Sequence, residues 1–439
     1  MEKSPPHLLM VPFPAQGHML PMLSLARQMA SHGGVKITYV CSQTVIDRLL
    51  KSESAFSDSI QLVGVPDELP GFSPPSELPE LLQDQHKLQG PTCMITDLVH
   101  WWGIDIAAKL SVPRYVFTVS PVLLQLLLNC SFDDDDGFMR VPALPPIQSH
   151  HLPLSCRNDV TGEALRTRWS KCAMESDGVL VSLFLALDSE VIEALRHSLQ
   201  RDIPVLPVSP HGLSPGLCSN SVSTEGLQLS DEKRVFDWLG DQPLLSVLYV
   251  SFGTTGLLCL GKQHVTELAM GLEASGQRFL WVFRAPPGVD ENELLPPGFE
   301  ERVKGRALLL RGWAPQLKIL AHPSTGAFLS SCGWNSAVES VALGVPIIGW
   351  PSMADQPVTA RYLEGGLKVA ITLPFREDHF VEARDFVKAI NVILHSEEGR
   401  AMRERTRKYK ASISAELLPG GASHGAIQEF INLISAVGV

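Results

Sequence analysis

Short apolar runs alternate with helix-periodic segments along this chain, twice over, and that alternation restricts it to parallel sheets covered by helices on both faces. The first half opens with "LLMVPF", turns through a Pro/Gly loop, and continues as "MLPMLSLARQMASHGG". In that segment Met22, Leu25, Ala26 and Met29 fall on one helical face, and Gly33-Gly34 supplies a stop. "VKITYVCS" alternates as a strand does. "TCMITDLV" reads as a buried strand, "HWWGIDIAAKL" as a helix and "VPRYVFTVS" as the next strand.

Between about Leu206 and Pro243 the pattern lapses into a stretch rich in Pro, Ser and Gly, followed by the amphipathic "DEKRVFDWLG". This is expected to be the interdomain linker. Alternation restarts with "LLSVLYVSFG" (strand), "KQHVTELAMGLEASG" (helix) and "RFLWVFRA" (strand). "GAFLSSCGWNSAVESVALG" is a further strand-to-helix unit, and "VPIIGWP", "QPVTARYLEGG" and "LKVAITL" follow as strand, helix and strand. With 439 residues, the chain is long enough for two domains of roughly 200 residues each. Two doubly wound domains leave a ligand cleft at the carboxyl ends of their strands.

Bulk properties exclude several functions. A net charge of −11 argues against a nucleic-acid footprint, which needs a basic face. No apolar run reaches the roughly 18 to 20 residues of a membrane span; "VLLQLLL" (Val122 to Leu128) reads as core helix. The N-terminus lacks the apolar region of a signal peptide, so a cytoplasmic protein is expected. The eight cysteines are scattered without metal-like spacing and read as reduced, mostly buried thiols. Asn129-Cys130-Ser131 fits a glycosylation sequon that carries no meaning without secretion. "DDDDG" (Asp133 to Gly137) reads as a solvated loop and His150-His151 as surface.

The strand-to-helix joints carry the chemistry. At Cys332-Gly333-Trp334-Asn335-Ser336 a strand gives way to a helix, whose first N–H groups and dipole can hold phosphate oxygens. Ser336 as a plain helix cap and Trp334 as plain packing account for this segment equally well. A second joint, Gly256-x-x-x-x-Gly261-Lys262, approaches a P-loop. Gln263 replaces the hydroxyl that would hold magnesium, and Thr254 and Thr255 are better phosphate neighbours. No Gly-x-Gly-x-x-Gly occurs, which weakens a dinucleotide oxidoreductase. In the first half, "VPFPAQGHMLP" sets His18 where the first strand becomes the first helix, positioned as a general base. Asp97, ending "CMITD", could orient that imidazole and stabilise its protonated form.

The run "WAPQLKILAHPSTGAFLSSCGWNSAVESVALGVPIIGWPSMADQ", Trp313 to Gln356, resembles the donor-binding signature of plant family-1 UDP-sugar glycosyltransferases. The likeness extends through "PFPAQGHMLPML", "VSFGT", "LAMGLEASGQRFLWVFR" and "GGASHGAIQEFI", nearly the whole chain. It implies the α/β GT-B fold: an acceptor-binding Rossmann-like domain over 1–240, a UDP-sugar-binding one over 244–420, and a helix over 421–439 crossing back. By this resemblance Trp313 stacks on uracil with Ala314 and Gln316 beside the base, and Glu339 accepts from the ribose hydroxyls. Thr254, Gly333, Asn335 and Ser336 hold the diphosphate, while Trp334, Asp355 and Gln356 meet the sugar. A terminal Gln is associated with glucose.

His18, held by Asp97, would deprotonate the acceptor, with inversion to a β-glycoside and no bound metal; UDP-sugar is a co-substrate rather than a cofactor. A monomer is expected. Where the family has His immediately before Cys-Gly-Trp-Asn-Ser, this chain has Ser331, a weaker partner for a diphosphate that keeps a non-catalytic UDP or small-molecule binder in view. A UDP-sugar epimerase or hydrolase on the same fold is disfavoured, because His18 and Asp97 look arranged to activate an external acceptor. Phe13, His100, Trp101, Phe117 and Leu123 are expected to line a pocket for a lipophilic acceptor such as a flavonoid or other phenol, although core packing explains most of them equally well. O- and C-glycosylation both remain open.

Overall fold

The computed structural model describes residues 5–52, 57–66, 90–129, 138–148, 152–156, 159–209, 213, 229–253, 261–284, 289, 291–374 and 380–437. In the first half the strands are β1 (His7–Val11), β2 (Lys36–Ser42), β3 (Ile60–Val65), β4 (Cys93–Asp97), β5 (Arg114–Thr118), a small hairpin β6 (Phe138–Met139) and β7 (Ile147–Gln148), β8 (Gly178–Ser182) and β9 (Val205–Val208). The second half contributes β10 (Val247–Ser251), β11 (Arg278–Phe283), β12 (Ala307–Arg311), β13 (Thr325–Ser330), β14 (Ile347–Gly349) and β15 (Ala370–Thr372).

Two parallel sheets result, in the orders β3-β2-β1-β4-β5-β8-β9 and β12-β11-β10-β13-β14-β15. Both are doubly wound, as expected. Each reverses its strand order once, between β1 and β4 in the first and between β10 and β13 in the second. At such a switch point the loops leaving adjacent strands diverge to opposite faces and open a crevice. His18 and Asp97 follow β1 and end β4, whereas residues 252–253 and Ser331 to Asn335 follow β10 and β13.

The sheets are held by apolar side chains on both faces, the condition for parallel strands. Met22, Leu25, Ala26 and Met29 of the helix Gln16–His32 are all buried against the first sheet. The helix Ala422–Val437 covers the same face, and its Phe430 meets Tyr115 of β5 edge-on at 4.8 Å. On the second sheet, Val265 and Leu268 pack with Phe386 and Ile390 on one face. The other face belongs to a cluster that runs on into the first half, joining Trp334, Val338 and Tyr362 with Leu183 and Phe184. The buried Glu416 carboxylate adds a polar tie, accepting the backbone N–H groups of Leu185 (3.0 Å) and Ala186 (2.9 Å) and the Ser423 hydroxyl (2.9 Å).

Three local expectations are corrected. The linker does not begin at Leu206, because Val205–Val208 is an edge strand buried by the helix Ala422–Val437; an edge tolerates Pro207, which lacks an N–H. "DEKRVFDWLG" belongs to a helix, Leu229–Gly240, that buries Val235 and Leu239. The helix expected from His100 starts at Gly103, since the Asp97 carboxylate accepts the Val99 N–H (3.2 Å) and turns the chain first. Asp133 to Gly137, His150, His151, and Thr254 to Leu260 lie outside the described residues. Among the described residues no helix is long and apolar enough to cross a membrane.

Candidate active site

On the first sheet, His18 Nδ1 lies 2.7 Å from Asp97 Oδ2. Asp97 is only 1% exposed while the His18 side chain is 28% exposed, so one ring edge is held inside and the other faces the cleft. Burial alone would lower the His18 pKa, but the charge and hydrogen bond of Asp97, with a contribution from Asp355, outweigh it and the pKa is raised. Burial would likewise raise Asp97, yet the interaction with His18, aided by His100 and the Val99 N–H, holds it below the usual carboxylate range. The pair is an imidazole made more basic by a fixed carboxylate.

An aromatic wall adjoins this pair. Phe13 sits edge-on to His18 at 5.2 Å and 6.0 Å from the His100 ring, and His100 rests against Trp102 at 4.6 Å. Of the expected acceptor residues, Phe13 is therefore brought to the base, whereas His100 is 2% exposed with Nδ1 3.3 Å from the Val11 carbonyl. Trp101 is half-buried beneath the Arg168 guanidinium (5.1 Å), and Leu123 packs on the large shared cluster. Phe117, 2% exposed, is a core residue of the first sheet and no wall of a pocket.

On the second sheet, β13 leads into buried Ser331 and Cys332, and Cys332 takes a left-handed φ of 63°. The thiol fits beneath the neighbouring strand because residue 349 is glycine; a Cβ there would lie 2.8 Å from Cys332 Sγ. The helix Trp334–Ala342 then begins at Gly333 with no side-chain cap. Neither Ser336, the candidate cap, nor Asn335 caps it. Ser336 Oγ accepts from Gln316 Nε2 (3.0 Å), and Asn335 Nδ2 donates to the Gly17 carbonyl (2.7 Å). The dipole at this helix start favours an anion, and the Trp334 N–H there is already directed to the Asp355 carboxylate.

Gln316 Nε2 also donates to Glu339 Oε2 at 2.7 Å, so Gln316, Ser336 and Glu339 form one network. Burial pushes the Glu339 carboxyl up to about 7, with the Gln316 bond acting the other way. Trp313 is half-buried beside this network, and Ala314 is buried with its carbonyl accepting the Gln316 N–H. Gln356 is buried with Oε1 accepting from the Ser352 N–H (3.0 Å), the Ser352 hydroxyl (3.0 Å) and the Met353 N–H (3.1 Å). That fixes the orientation of its amide. Burial raises Asp355, opposed by Ser120, His18 and the Trp334 N–H.

One expected contact is overturned. The Trp334 indole is 3% exposed and its Nε1–H donates to the Ser182 carbonyl at 2.8 Å, so the ring joins the two halves and does not reach a sugar. Three site residues escaped sequence reasoning. Tyr249 stacks on Phe328 and extends its hydroxyl to Gln316 Oε1 (3.4 Å); Arg284 lies over Trp313; Ser120 stands by Asp355. A charged residue closing the apolar "RFLWVFR" was the available signal for Arg284. Among the described residues no three His, Cys, Asp or Glu side chains group as metal ligands.

Comparison with known proteins bears on the family and the fold. Residues 232–403 match the family described as UDP-glucoronosyl and UDP-glucosyl transferase, and residues 7–61 match the glycosyltransferase N-terminal domain. The chain is 31% identical to UDP-glycosyltransferase 72B1 of Arabidopsis thaliana, over 97% of this chain and 95% of that one. It is 30% identical to hydroquinone glucosyltransferase of Rauvolfia serpentina, over 97% of each. Among solved structures, Phytolacca americana UGT2 complexed with UDP-2fluoro-glucose and pterostilbene superposes with a TM-score of 0.83 at 28% identity, covering 98% of this chain and all of that one.

Proposed function

This chain belongs to the plant family-1 UDP-glycosyltransferases of GT-B fold, and from that premise we propose that it is an inverting transferase moving glucose from UDP-glucose to the hydroxyl of a small phenol. Residues 1–240 would bind the acceptor, 244–420 the donor, and 421–439 would form the C-terminal helix that crosses back to the first domain. The observation that carries the reading is the 2.7 Å contact between His18 and buried Asp97 at the switch point of the first sheet. An imidazole so held, with a raised pKa and one edge toward the cleft, is suited to take a proton from an external hydroxyl.

In this mechanism the acceptor oxygen attacks the anomeric carbon from the face opposite UDP as His18 removes its proton. The α-linked donor thereby yields a β-glycoside. UDP leaves with added negative charge, met by the N–H groups of Gly333, Asn335 and Ser336, by the Asn335 side chain and by Thr254. Those dipoles supply local positive potential in an acidic protein and require no metal. Trp313 and Gln316 would hold uracil, Glu339 the ribose, and Asp355 and Gln356 the sugar. Phe13, half-buried and edge-on to His18, offers an aromatic face suited to a planar phenol. The names of its relatives, a hydroquinone glucosyltransferase and a pterostilbene complex, support an acceptor of that class. We place the enzyme in the cytoplasm, as a monomer.

The test is turnover of UDP-glucose alone and with a panel of phenols, products read by mass and the anomeric linkage by NMR coupling. A β-glucoside and UDP appearing only with a phenol, and lost in His18→Ala, is the expected result. UDP release without acceptor, or an active His18→Ala, defeats the proposal.

A further inference from the structure

Gly253, Arg284 and Trp313 each follow one of three adjacent strands, β10, β11 and β12, at their carboxyl ends. Arg284 is the central one and touches both neighbours. Its Nη2 donates to the Gly253 carbonyl, and its guanidinium carbon lies 5.7 Å from the centroid of the Trp313 ring. The side chain is half-buried, and no carboxylate among the described residues figures in its electrostatics. An arginine there remains charged and offers a flat face that a lysine lacks.

From this arrangement we infer that Arg284 is a positioning residue for the nucleotide half of the donor, holding the Trp313 ring in the orientation on which a nucleobase stacks. The inference rests on the reading of Trp313 as the base platform. A half-buried indole carrying no hydrogen bond at Nε1 has little else to fix its plane. The guanidinium occupies one face by cation–π attraction and leaves the other for an electron-poor pyrimidine. Its bond to the Gly253 carbonyl ties the guanidinium to the end of the adjacent strand and so fixes the face it presents to the ring. Arg284 itself need touch no ligand.

The experiment uses the full chain and measures affinity for UDP and, by competition, for uridine, in Arg284→Met, Arg284→Lys, Trp313→Ala and the double variant Arg284→Met/Trp313→Ala. Arg284→Met is expected to weaken both ligands by the same factor, about tenfold. Arg284→Lys should recover part of that loss, with the acceptor KM unchanged. On the Trp313→Ala background the Met substitution should change affinity by less than about twofold, because its effect passes through the ring.

Affinity within about twofold of wild type in Arg284→Met overturns the inference, as does a double variant whose loss is the product of the two single losses. A loss confined to UDP also overturns it, since that marks a direct charge on the diphosphate. If Arg284→Met fails to fold, Arg284→Lys alone decides, by equal weakening of both ligands or none. An unchanged UDP affinity in Trp313→Ala shows instead that the base platform was misassigned, a separate failure visible without any Arg284 variant.

Discussion

Asn335 Nδ2, in the helix after β13, donates to the carbonyl oxygen of Gly17 at 2.7 Å, one residue before His18. The side chain proposed to hold the diphosphate therefore also grips the first turn of the helix that carries the base. Asn335→Ala removes both actions. If Asn335 held only the bound donor in its ground state, KM for UDP-glucose would rise and kcat would hold. Because it also meets the leaving diphosphate and places His18, kcat should fall as well, by about tenfold or more, at least the net worth of one neutral hydrogen bond. Steady-state kinetics with donor and acceptor varied separately makes the check; an unchanged kcat refutes the coupling.

The base itself gives a pH signature. Its neutral form must accept the proton, so the rate should fall as pH drops through a pKa raised above 6.5 by Asp97. In Asp97→Asn the charge is gone, burial prevails, and the acid limb of the kcat profile should move to lower pH. The rate at the optimum should drop by about a hundredfold or more, as for loss of an oriented general base. A profile with its acid limb unmoved contradicts the role given to Asp97.

Glu339 titrates in the opposite sense for binding. With its carboxyl pushed up to about 7, it is mainly protonated at pH 6 and mainly ionised at pH 8. Ribose hydroxyls donate to the ionised form, so UDP should bind about tenfold tighter at pH 8 than at pH 6, releasing close to one proton at the lower pH. Glu339→Gln should bind more weakly and lose this part of the pH dependence. Calorimetry in buffers of different ionisation enthalpy counts the proton; no release at pH 6 refutes the assignment.

The strands and the joints between them were legible because a parallel strand buried on both faces must be a continuous apolar run, and His18, Asp97 and Asn335 stand at the breaks in such runs. What escaped reading depended on partners remote in the chain. Val205–Val208 looks like linker until the helix Ala422–Val437, two hundred residues later, covers it. Trp334 looks like a ligand contact until Ser182 is found to take its indole N–H. Tyr249 and Arg284 sit in or beside strands whose neighbours in the sheet, not in the sequence, bring them to Gln316 and Trp313. Phe117 faces the core because alternate residues of a buried strand go to opposite faces and both faces are dry.

Ser331 offers the sharpest test of what distinguishes this chain from its relatives. It is 6% exposed, immediately after β13 and immediately before the left-handed Cys332, two residues before Gly333, where the helix proposed to meet the diphosphate begins. A hydroxyl there donates one neutral hydrogen bond, whereas an imidazolium would donate a charge-assisted one, roughly twice as strong. Ser331→His should tighten UDP binding by about three- to tenfold, and more at pH 6 than at pH 8, since the added imidazole must be protonated to carry its charge. That trend runs opposite to the one expected from Glu339, so the substitution is best read on the Glu339→Gln background, where the Glu339 titration no longer opposes it. Calorimetry with UDP on the paired variants makes the comparison. Donor affinity that stays flat or weakens at both pH values shows that Ser331 does not limit the diphosphate site.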